Sequence, residues 1–154
     1  MAGTRKTLER VPESNFSFKP HEKSMDMQSL ASHIAEMVGW FVPTLATESF
    51  DISPPGAPKW EPFKAKSVEE LLATFDRNVE EARRQLEATG DEAMMQPWSL
   101  LAEGNAIFTM PRIACLRGML LNHLVHHRGQ LTVYLRMNDV PVPGLYGPSA
   151  DEQQ

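Results

Sequence analysis

Between Thr109 and Asn138 the sequence carries Ile113, Leu116, Leu120, Leu124, Leu131 and Leu135, at steps of three, four and seven residues. A long α-helix with one buried side satisfies that spacing. The same stretch contains Asn122-His123-Leu124-Val125-His126-His127-Arg128-Gly129-Gln130-Leu131, with three of the chain's five histidines. Taking His123 as reference and advancing about 100° per residue, the leucine stripe centres roughly 75° away. On this wheel His127 lies about 35° from the stripe centre and His123 about 75°, whereas His126 is about 135° away and faces solvent. His123 and His127 are thus the inward pair. Buried imidazoles need partners for their nitrogens, and a shared metal ion satisfies one on each ring. H-x-x-x-H is a spacing that zinc sites use, but it is incomplete without a third ligand from elsewhere.

The chain has 154 residues, which suits one domain. With 42% hydrophobic and 23% charged residues it reads as an ordinary globular sequence, and no apolar run reaches the ~20 residues of a membrane span. A formal net charge of −5 and scattered basic residues argue against nucleic-acid binding. Met1 to Arg10 lacks the apolar stretch of a secretory signal, so a cytoplasmic protein is expected. The single cysteine, Cys115, fits a reducing compartment; about 80° to the far side of His123 on the wheel, it reads as a small helix-packing residue apart from the inward pair.

The expected organisation is a single domain over 1–154. The first dozen residues form a short helix anchored by Leu8 and Val11, and 12–24 is a connector pinned by Phe16 and Phe18. From Met25 the apolar period Met27, Leu30, Ile34, Met37, Val38, Phe41, Leu45 predicts a helix of about five to six turns, with Pro43 near its end. His33 sits at the border of that stripe, roughly 95° from its centre, so periodicity alone does not place it inward. A Pro-rich loop covers 50–66. Ser67-Val68-Glu69-Glu70 has the capping-box pattern and opens the clearest helix, with Gly90 as its terminator and Glu80–Arg84 as an exposed pair. Residues 91–108 break the helical period; Gly104 with Ile107-Phe108 hints at an extended excursion without requiring a strand. Thr109 is placed as the cap of the last helix, and 140–154 is an extended, proline-rich tail.

Ser32-His33-Ile34-Ala35-Glu36-Met37 and the 122–131 stretch together resemble the DinB family. So do Arg10-Val11-Pro12-Glu13, Pro20-His21-Glu22-Lys23-Ser24 and the tail Val142-Pro143-Gly144-Leu145-Tyr146-Gly147-Pro148-Ser149. The resemblance implies an all-α fold, an antiparallel four-helix bundle of up-down-down-up topology, here with a short first helix. It also implies a divalent metal held by His33, His123 and His127. The wheel supports the last two independently; His33 comes from the resemblance.

Three neutral imidazoles with an open fourth position suit a catalytic metal, zinc or nickel first and iron as a further candidate. The family's thiol S-transferases imply a metal-dependent enzyme that activates a low-molecular-weight thiol toward a small-molecule substrate. The alternatives are a metal-dependent hydrolase and a non-enzymatic, stress-related metal- or small-molecule-binding protein. Gln130 and Tyr134, one and two turns beyond His127, are candidate substrate contacts, set against plainer readings as a surface glutamine and a buried tyrosine. Trp40, Trp60 and Trp98 are weighed as pocket lining or as packing anchors. The nine methionines leave room for an apolar homodimer face; no nucleic acid or membrane partner is expected.

Overall fold

The computed structural model describes residues 1–58 and 60–152. Its helices are α1 (Ala2–Leu8), α2 (Met27–Met37), α3 (Phe41–Ala46), α4 (Val68–Ala88), α5 (Asp91–Met95), α6 (Arg112–Ala114) and α7 (Asn122–Met137). A 3-10 turn, Val38–Trp40, joins α2 to α3, and a π-helical segment, Cys115–Leu121, joins α6 to α7. Each join keeps the chain running as one long helical rod.

The starts of α2 and α4 are held by side-chain caps, the second of them the expected Ser67. Asp26 caps α2 by accepting from the Ser29 amide at 2.6 Å, and Ser67 caps α4 by accepting from Glu70 at 3.1 Å. Glu69 and Glu70 then lie against the positive end of the α4 dipole. Leu8 and Val11 meet Leu30, Ile34, Leu71, Phe75, Leu131 and Leu135 in the apolar core. Two local expectations change. Arg84 pairs with Glu81 rather than Glu80, and Gly90 is the N-cap of α5, the end of α4 being closed by Thr89, whose hydroxyl donates to the Gln85 carbonyl at 2.7 Å.

The expected all-α four-helix bundle of up-down-down-up topology is corrected by a three-stranded mixed sheet of order β1-β2-β3. β1 (Ser49–Asp51) runs parallel to β2 (Pro97–Ala102), which pairs antiparallel with β3 (Asn105–Pro111). The hairpin turns on Glu103 and Gly104, with φ of 51° and 77°. Two consecutive left-handed residues match the twist of a two-residue hairpin. Glycine takes that conformation freely; the strain at Glu103 is offset because its amide donates to Ser53 and that of Gly104 donates to Asp51. Trp98 and Leu100 on β2 stand opposite Met110 and Phe108 on β3, so one face of the hairpin is apolar and aromatic. Thr109 consequently belongs to β3, and Pro111 is the residue before the last helical run.

Two polar devices fix the surroundings of the future site. On α2, Gln28, Ser32 and Glu36 lie at successive i, i+4 steps and grip the backbone that precedes α4. Gln28 donates to the Ala65 carbonyl at 2.8 Å, Ser32 accepts from the Ala65 amide at 3.0 Å, and Glu36 accepts from the Phe63 amide at 3.3 Å. Arg112, buried to 9% exposure, donates to the carbonyls of Thr44, Thr47 and Ala93, so it locks the end of α3 and α5 to the start of α6.

Candidate metal centre

His33 projects from the middle of α2, and His123 and His127 project one turn apart from α7. One ring nitrogen from each of the three lies within 4.8 Å of the others. The His33 ring is steeply inclined to both partners, at 65° to His123 and 80° to His127, with centroids 5.4 Å and 4.8 Å away. His127 is buried; His33 and His123 are partly so. His126 is exposed beside His127, as the wheel predicts.

The hydrogen bonds set the state of the rings. His127 Nδ1 lies 2.7 Å from Gln130 Oε1 and so carries the proton, which leaves the lone pair on Nε2. That Nε2 points at His123 Nε2 across 2.8 Å. Two imidazole nitrogens facing each other at this distance need a proton or a cation between them, and a ring nitrogen of His33 lies within 4.8 Å of both partners. Burial and the neighbouring imidazoles hold His33 down from 6.5 to about 4, and burial also lowers His127. Both are therefore neutral near pH 7, the form that ligates a metal. The donor set thus fits a divalent cation: three convergent imidazoles, with Gln130 fixing the tautomer of one.

His33 and His123 open onto a cavity of about 270 Å³. Trp40, Trp60, Trp98, Leu100, Phe108 and Met119 form most of its remaining wall. The three tryptophans are thus pocket lining. Cys115, expected apart from the inward histidines, is buried and lines the same wall, whereas Ile113, expected on the core side, is 45% exposed. One cause explains both. The wheel assumes about 100° per residue, and the wider π-helical turn of Cys115–Leu121 advances less, so the phase set at His123 is lost upstream. Burial pushes the Cys115 thiol up, keeping it protonated and a poor nucleophile.

The two other candidate contacts are placed differently. Gln130 is exposed and engaged with His127, and Tyr134 is buried with its hydroxyl donating to the Met25 carbonyl at 3.1 Å and its ring against Phe18. Neither borders the cavity. Sequence reasoning missed Leu100, Phe108 and Met119. The available signal was the alternation of Trp98 and Leu100, with Phe108 opposite.

Comparison with known proteins gives a consistent picture. The family model described as the DinB family matches residues 2–154. An uncharacterized protein of Bacillus subtilis strain 168, YrdA, is 23% identical over 152 residues, covering 97% of this chain and 83% of its own length. A crystal structure of a DinB-like protein from Bacillus cereus ATCC 10987 superposes with a TM-score of 0.72 at 21% identity, covering 94% of this chain and 89% of that one. That of a DinB-like protein from Bacillus subtilis, YjoA, gives 0.69 at 20% identity, covering 96% and 91%. At these identities the structural likeness concerns the fold. Among the described residues no helix is long and apolar enough to cross a membrane.

Proposed function

The chain belongs to the DinB family, and from that premise we propose that it is a metal-dependent enzyme of the thiol S-transferase type. In this reading His33, His123 and His127 hold a divalent cation, zinc or nickel, and a low-molecular-weight thiol is transferred to an electrophilic acceptor. The observation that carries it is the convergence of three imidazole nitrogens within 4.8 Å at the wall of an apolar cavity.

When bound, the cation lowers the pKa of a thiol at its open position and so supplies thiolate at neutral pH. The chain's own residues do the rest. Gln130 holds the His127 proton on Nδ1 and keeps Nε2 directed inward. Burial keeps His33 unprotonated. The tryptophans and Phe108 exclude water from the acceptor's side, which favours thiol attack over hydrolysis. In the transfer the thiol gives up its proton to solvent, its sulfur forms the new bond to carbon, and the displaced group leaves with the bonding pair of the bond that breaks.

The test is the metal content of the purified protein, followed by conjugation of several cellular thiols to 1-chloro-2,4-dinitrobenzene. Metal-dependent, saturable conjugation is expected. Turnover of an ester without a thiol would instead make it a hydrolase, and bound metal with no turnover would make it a binding protein.

A further inference from the structure

All three tryptophans of the chain line one cavity, though they come from separate stretches: Trp40 between α2 and α3, Trp60 in the loop before α4, and Trp98 in β2. Their rings do not cover one another. Trp40 and Trp60 meet edge to face at 6.4 Å and 81°, and Trp98 is tilted 51° against Phe108 at 6.2 Å. Trp40 and Trp60, the two that are not fully buried, thus keep faces and edges for a further ring, in the geometries that aromatic pairs prefer, while Trp98 backs the wall at 2% exposure.

The lining also says what cannot enter. Among the described residues no lysine, arginine, aspartate or glutamate borders the cavity. Thr44 has its hydroxyl donated to the Trp40 carbonyl at 2.8 Å. An ionic group placed against Trp98 and Leu100 would lose its water and find no partner. Polar capacity is concentrated at one end, on the imidazoles of His33 and His123. Size narrows the ligand further: an apolar cavity of about 150 Å³ accepts benzene, so about 270 Å³ suits a substituted ring or two fused rings.

We infer that this cavity binds the uncharged aromatic body, of one or two rings, of the acceptor molecule, with that molecule's single polar or reactive group at the His33–His123 end. The reactive role rests on the transferase reading above, but the binding does not. Because every tryptophan borders the cavity, intrinsic fluorescence reports its occupancy directly.

The experiment titrates the metal-free full chain with 2-naphthol and with naphthalene-2,6-disulfonate, which has the same rings and two charges. Saturable quenching by 2-naphthol is expected, with the disulfonate at least about tenfold weaker. Met119→Lys, at a position 43% exposed where a longer polar chain is tolerated, should weaken 2-naphthol and narrow that ratio, with an unchanged melting curve as the folding control. Equal binding of the two probes, or no saturable binding of 2-naphthol, overturns the inference. If the naphthol preference holds while zinc-loaded protein conjugates no thiol, the transferase reading fails and the aromatic site stands.

Discussion

Two helical rods dominate the chain, and they obey different rules. α4 is 21 residues of uninterrupted α-helix, with a serine cap, acidic first turn and a buried side of Leu71, Thr74, Phe75 and Ala82. The rod from Arg112 to Met137 changes pitch through Cys115–Leu121, buries Arg112, His127 and Arg128 among its leucines, and exposes Ile113, Val125, Val133 and Met137. α4 satisfies one demand, burial of an apolar stripe. The second rod must also aim imidazoles at α2 and present a wall to the cavity, and its irregularities lie where those demands meet.

Substitutions in the two rods should have opposite effects. His123→Ala or His127→Ala should abolish stoichiometric metal binding while the protein stays folded, read by metal analysis alongside circular dichroism; full stoichiometry in either variant would refute the ligand assignment. Phe75→Ala in α4 should do the reverse, costing about 3–5 kcal/mol in denaturant unfolding with metal stoichiometry retained in the folded fraction. Gln130→Ala should weaken metal affinity by about 10–100-fold, measured by competition with a chelator, because the His127 tautomer is no longer held.

In metal-free protein the unfolded chain protonates His33 near 6.5 and the folded chain only near 4. The unfolded state therefore binds more protons between those values, so stability falls as pH drops from 6.5 toward 4 and is flat above. Thermal melting across that window should show a slope that His33→Gln reduces; an unchanged slope would place the protonation elsewhere. Ser67→Ala should cost about 1 kcal/mol of stability through the lost α4 cap and leave metal affinity unchanged.

What the sequence disclosed follows the same division. α2, α4 and α7 were legible because each buries a stripe at helical spacing, and His123 and His127 were separable from His126 because all three lie in regular helix. Cys115 and Ile113 were misplaced because a π-helical turn has no mark in the spacing of leucines. The sheet was hidden for another reason. β1 is three residues long and pairs with β2 across nearly fifty residues, as in Ser49 with Ser99, and the hairpin turns on Glu-Gly rather than the Asn-Gly that signals such a turn. His33 stood on the edge of its stripe, where periodicity cannot choose a side; its position became clear only once α7 was packed against it.

The change of pitch in the last rod bears on how proteins of this shape diversify. A π-helical turn accommodates one residue more than an α-helical one, so removing a single residue between 115 and 121 would return the segment to α-helical pitch with little turn of the flanking helix relative to His123. Arg112 would keep its hold on the end of α3, and His123 and His127 would keep their aim at His33 on α2. A change of length, which elsewhere in a helix scrambles a core, would here be absorbed where it occurs, in the wall of the cavity. The wall can then vary in length while the histidine cluster is inherited unchanged.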